Sequence, residues 1–218
     1  MRQLTLDLQP AAPPSLENYV TGSNGEALTA LAAWLAPDNR EPLFFLWGES
    51  GAGKSHLLQA CAATGCDARL DPELAGLPAS SDPWAVDHLE VLGDSGQIAL
   101  FNLINRLRAN GGRLLLAARL PPRLLELRED LRTRLGNGLV YRLRSLSDAE
   151  KRAALAEQAR ARGLELSPAI IDYLFARVPR DMRRLTQLLR AIDQFSLEHK
   201  RPITLPLLRE VLQTSPPT

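Results

Sequence analysis

Leu43-Phe44-Phe45-Leu46-Trp47 runs directly into Gly48-Glu49-Ser50-Gly51-Ala52-Gly53-Lys54-Ser55, and this stretch decides the fold. Five apolar residues that end at a glycine predict a strand buried on both faces. The next eight satisfy G-x-x-x-x-G-K-[ST], and Ser55 to Ala63 reads as a helix. Phosphate binding requires strand, glycine-rich turn and helix in that order. The glycines let backbone N–H groups turn inward, and the helix start adds unpaired N–H groups and its positive dipole end. Lys54 offers a point charge to the β- and γ-phosphates, and Ser55 offers a hydroxyl to Mg2+. His56 either helps close such a pocket or is an ordinary first-turn histidine.

Outward from this core, strands and helices alternate. Asn24 to Trp34 has helical spacing, ended by Pro37. Residues 67–83 are rich in Pro, Ser and Asp and predict a loop with a short strand. Trp84 to Val86 predicts a strand that delivers Asp87, the candidate to hold the Mg2+ hydration shell. His88 follows, where an ATPase usually places the acid that polarises the attacking water. Glu90 is either a displaced base or a surface carboxylate. Gln97 to Ala109 reads as an amphipathic helix stopped by Gly111-Gly112, Leu114 to Ala118 as a strand, Leu124 to Leu135 as helical, and Leu139 to Leu143 as the last strand. The prediction is an α/β fold with a mostly parallel sheet covered on both faces.

The pattern then becomes helical only. Ser147-Asp148-Ala149-Glu150 fits a capping box opening a helix to about Arg162. Ser167-Pro168 starts a second helix, Asp181 to His199 forms a long third, and Thr204 to Gln213 a short fourth. The expected organisation is an extended peptide and Pro-rich linker over 1–14, an α/β nucleotide-binding domain over 15–145 and a helical domain over 146–218.

The chain has 218 residues, 45% hydrophobic and 23% charged, enough to bury a core without disulfides or metal. Two cysteines, Cys61 and Cys66, lack zinc-ligand spacing and read as core thiols in a reducing compartment. The absence of a long apolar run or a signal-like start predicts a cytoplasmic protein without membrane association. The net charge is +1, but residues 101–145 carry ten arginines against three acids. That block is either a set of solvated helix faces or a surface for anionic groups.

Several segments together resemble the AAA+ domain of the replication initiator DnaA. They are Asn18-Tyr19-Val20 with Gly22-Ser23-Asn24, Trp47-Gly48 entering the phosphate loop, and Ser55-His56-Leu57-Leu58-Gln59-Ala60 leaving it. Pro121-Pro122, Leu131-Arg132-Thr133-Arg134-Leu135 and Asp181-Met182-Arg183-Arg184-Leu185 complete the match over roughly residues 15–215. The opening Gln3-Leu4-Thr5-Leu6-Asp7-Leu8 resembles the short motif by which proteins bind the replicative sliding clamp, although an edge strand alternates in the same way. A clamp motif ahead of a DnaA-like core is similar to the layout of the Hda family of DnaA regulators.

The resemblance implies an AAA+ core with a helical lid, binding ADP or ATP with Mg2+. It implies that Gln3, Leu4, Leu6 and Leu8 bind the DNA polymerase III sliding clamp (its β subunit), so that DNA is met only through the clamp. It further implies that Arg134 acts in trans as an arginine finger on ATP held by DnaA, with Arg132 its near neighbour. Arg183, or alternatively Arg184, matches the lid arginine that contacts nucleotide. Tyr19 and Val20 either pack on adenine or staple the first helix. A homodimer through the same surface stays open. Two departures stand out: His88 in place of the second acid, and Ala117, Ala118 or Arg119 where a polar sensor is expected. Both predict nucleotide binding with weak or no intrinsic hydrolysis. The competing readings are a DnaA-like recruitment module and a stand-alone AAA+ ATPase such as a helicase loader.

Overall fold

The computed structural model of the chain describes residues 13–62, 64–76, 83–199 and 203–214, so Gln3, Leu4, Leu6 and Leu8 lie outside the described residues. Two compact units emerge, one spanning Pro13–Ser145 and one that takes in the chain from Leu146 onward.

The first unit holds strands β1 (Leu43–Trp47), β2 (Thr64–Asp67), β3 (Trp84–Asp87), β4 (Leu114–Ala118) and β5 (Leu139–Arg142). They form one sheet in the order β2-β3-β4-β1-β5, and every neighbouring pair is parallel. Its helices are α1 (Gly25–Leu35), α2 (Lys54–Cys61), α3 (Asp94–Asn110) and α4 (Glu129–Gly136).

Strand alternation sorts the side chains into two cores. Leu43 and Phe45 of β1, with Leu114 and Leu116 of β4, pack with Leu100 and Ile104 of α3 and Leu131 and Leu135 of α4. Phe44 and Leu46, with Leu115 and Ala117, pack on the other face with Leu31 and Trp34 of α1 and Leu57 of α2. Successive strand residues point to opposite faces, so an all-apolar strand needs helices on both sides. Burying each such large side chain contributes about 1.5–3 kcal/mol. Trp34 is fully buried, and its indole N–H is satisfied by the Glu41 carbonyl at 2.7 Å.

Two expectations are corrected. The short strand expected within 67–83 lies upstream as β2, whose Gly65 and half-buried neighbours give no apolar run. The helix expected over Leu124 to Leu135 is split into a 3-10 turn, Pro122–Leu124, and the shorter α4. The expected parallel sheet covered on both faces is borne out, and among the described residues every strand pair is parallel.

The second unit contains α5 (Asp148–Arg160), α6 (Pro168–Arg177), α7 (Met182–His199) and α8 (Leu205–Thr214). Ser147 caps α5 as the spacing predicts: its hydroxyl accepts from the Glu150 N–H at 3.2 Å, and the Glu150 carboxylate accepts from the Ser147 N–H at 2.7 Å. Pro168 opens α6, where its missing N–H costs nothing. Leu155, Leu174, Leu189, Ile192 and Leu207 form this unit's own core.

Candidate nucleotide site

All parallel strands present their C-terminal ends on one edge, which is where α/β sheets bind ligands. The loop from Gly48 to Ser55 leaves β1 at that edge. Gly48 has φ 153°, its N–H donates to the Ala118 carbonyl at 3.3 Å, and a Cβ there would lie 2.1 Å from the Leu143 carbonyl oxygen. Gly53 has φ 90°, and a Cβ there would lie 2.6 Å from the Tyr19 ring. The motif glycines at these two points are therefore steric requirements.

Lys54 is buried and donates through Nζ to the carbonyls of Gly48 at 2.7 Å and Glu49 at 2.9 Å. Burial lowers its pKa, the carboxylates of Asp87 and Glu90 oppose that shift, and Arg119 adds to it. The Ser55 hydroxyl donates to Asp87 Oδ2 at 2.5 Å, and Asp87 Oδ1 accepts from the His88 N–H at 2.8 Å. A hydroxyl paired with a buried carboxylate beside the loop matches the all-oxygen donor set that Mg2+ prefers, and these two residues would hold it.

His88 takes the left-handed conformation, with φ 59°. Its Nδ1 lies 3.1 Å from Asp67 Oδ1 and 3.4 Å from Asp87 Oδ1. Neither approach is aligned as a hydrogen bond. A hydrogen bond from Arg69 is the largest influence on Asp67 and, with His88 contributing, holds its carboxyl down at about 2. Glu90 accepts the Arg119 N–H at 3.2 Å and so links the ends of β3 and β4.

A second group braces the loop. The Tyr19 hydroxyl donates to the Ala52 carbonyl at 3.1 Å, and its pKa is raised by burial against the opposing Asn24 hydrogen bond. Asn24 is buried; its amide donates to the Arg144 carbonyl at 2.9 Å and its oxygen accepts the Arg144 N–H at 2.8 Å. His56 Nε2 sits 2.9 Å from the Ser15 carbonyl oxygen, with its ring edge-on to Tyr19 at 5.5 Å. Val20 is half-buried beside Tyr19.

Arg134 lies in the last turn of α4, its guanidinium carbon 4.4 Å from the Phe101 ring centroid. Arg183 belongs to the other unit, in the first turn of α7, where its backbone N–H donates to Asp181 Oδ1 at 3.0 Å; it and Arg184 are exposed. Burial pushes the Cys61 thiol up to about 11, as suits an inert core sulfur.

Residues 148–212 match the family model described as "Hda, lid domain". Over 231 aligned residues the chain is 32% identical to an uncharacterized protein of Haemophilus influenzae, covering 97% of this chain and 98% of that one. The chain belongs to the Hda/DnaA-like AAA+ family. The AAA+ fold is shared with domain III of the Thermotoga maritima initiator DnaA (TM-score 0.69, 19% identity, 94% of this chain and 96% of that one). It is shared also with a replication initiator DnaA bound to AMPPCP and single-stranded DNA (TM-score 0.67, 23% identity, 89% and 69%).

In this Hda-like chain the structure brings Gly48 to Ser55 together with Tyr19, His56 and Asp87. Sequence reasoning missed Asp67 and the bracing role of Asn24. The β2–β3 register, which pairs Asp67 with Asp87, carries the first signal; it became readable only once β2 was placed. No helix of the described residues is long and apolar enough to cross a membrane.

Proposed function

We propose that the chain regulates DnaA-dependent replication initiation as half of a composite ATPase site. It binds ADP or ATP through Gly48, Glu49, Ser50, Gly51, Ala52, Gly53, Lys54 and Ser55, with Asp87 and Ser55 placing Mg2+. Bound there, the ion would neutralise phosphate charge. Tyr19, Val20 and His56 border the nucleotide, and Arg183 is the residue that matches the nucleotide-contacting lid arginine of the family. Gln3, Leu4, Leu6 and Leu8 tether the chain to the sliding clamp. Arg134 then meets the charge developing on the terminal phosphate of ATP held by DnaA, a role that elsewhere raises rates by about 10³–10⁵.

The observation that carries this reading is a complete phosphate loop beside His88. Lys54, Ser55 and Asp87 converge on one edge, yet the side chain that follows Asp87 is an imidazole held among carboxylates, where the family resemblance expects a second acid. Such a site supports binding without fast turnover, so the useful chemistry is lent to a partner. The test is hydrolysis of DnaA-bound ATP in the presence of clamp-loaded DNA. The wild-type chain stimulates it, and Arg134→Ala folds and binds the clamp but loses stimulation by at least about 100-fold. Brisk single-turnover hydrolysis by the chain alone would favour the stand-alone ATPase instead.

A further inference from the structure

Arg134 makes no ion pair among the described residues, although acids precede it on its own helix. Asp130 stands one turn before it, the usual pairing distance along a helix. That carboxylate is taken by Arg128, whose Nη2 lies 2.8 Å from Oδ2 and Nε 3.3 Å from Oδ1. The Arg134 guanidinium lies instead over Phe101, which projects from α3 and packs against the same core as Leu131 and Leu135 of α4. Both residues line an open groove of about 710 Å3 with Arg108, Glu129, Asp130, Thr133 and Asn137.

We propose that Phe101 is the positioning residue for Arg134, seating the guanidinium on its ring so that the cation stands ordered but unpaired. The inference rests on the reading of Arg134 as the finger. A carboxylate partner would occupy two N–H donors of the fork and neutralise its charge. An aromatic face attracts the same cation through its quadrupole and leaves the in-plane donors free. The seat also narrows the rotamers of a long side chain before any phosphate arrives, lowering the entropy lost on engagement. Arg128 contributes by withdrawing Asp130.

The full-length chain is compared with Phe101→Leu, Phe101→Met, Phe101→Tyr and Arg134→Ala, each checked for an unchanged melting temperature. In proton NMR, the δ-methylene of Arg134, assigned by its loss in Arg134→Ala, is displaced upfield by the ring current. The displacement persists in Phe101→Tyr and disappears in both aliphatic variants. In stimulated hydrolysis of DnaA-bound ATP, the aliphatic variants lower the plateau rate by about two- to fivefold, the size of an exposed cation–π contact, with the half-saturating concentration unchanged. Phe101→Tyr restores the rate. An absent ring-current displacement in the wild type, or an unaltered plateau in the aliphatic variants while Arg134→Ala abolishes stimulation, overturns the proposal. Undiminished stimulation by Arg134→Ala overturns the finger reading itself, and this role with it.

Discussion

Asp67 shows how much local context a single carboxylate can gather. Arg69 hydrogen-bonds it, His88 approaches it, and its pKa falls to about 2. A depressed folded pKa contributes stability that is present above the unfolded value and lost as pH falls through the folded one. Asp67→Asn therefore lowers the urea midpoint near neutral pH, and the difference from wild type closes between about pH 4 and pH 2. Urea unfolding at half-unit pH steps measures this; a constant difference across that window counts against the assignment. The same site shows where sequence reading stops. The eight residues of the phosphate loop are contiguous and constrained in type, so they were legible as chemistry. Asp67 meets His88, and Asn24 meets Arg144, only through pairing between distant segments, and no spacing rule reports that.

Among the elements, legibility followed the strength of the local signal. The strands at Leu43 and Leu114 are unbroken apolar runs, and both were found with their bounds. The start of α5 was equally plain because Ser147 and Glu150 are three residues apart. β2 was misplaced because Thr64-Gly65-Cys66-Asp67 is an edge strand that presents neither alternation nor a hydrophobic run. α4 was drawn too long because leucines between 124 and 135 keep a helical rhythm that the extended backbone at Leu125 and Arg128 interrupts. The capping box supports a prediction on this scale. Ser147→Ala removes the acceptor for the Glu150 N–H and costs about 1 kcal/mol. Native-state hydrogen exchange reads it as faster exchange of the first-turn amides of α5, with the amides of α3 unaffected. Equal acceleration in both helices would mean that the cap stabilises more than its own unit.

For the whole molecule, the proposed tether and the nucleotide site are separable. Deleting residues 2–8 abolishes retention by the sliding clamp and leaves the ADP-induced rise in melting temperature intact. A ligand that binds only the folded state stabilises it by about 2.7 kcal/mol at one hundred times its dissociation constant. Thermal melts with and without ADP, beside a clamp pull-down, measure both effects on one preparation. A truncated chain that no longer responds to ADP would place the peptide in the nucleotide site.

The all-parallel sheet has one more consequence. Its buried faces are filled by residues such as Phe44, Phe45, Leu115 and Leu116, while His88 and Arg119 stand just past the strand tips. Positions 88 and 119 at the rim can thus change while the scaffold beneath, and the loop glycines Gly48 and Gly53, stay closed to change. One exchange at position 88 would therefore change the chemical group offered beside Asp67 and Asp87 while Phe44, Phe45, Leu115 and Leu116 keep the neighbours they have.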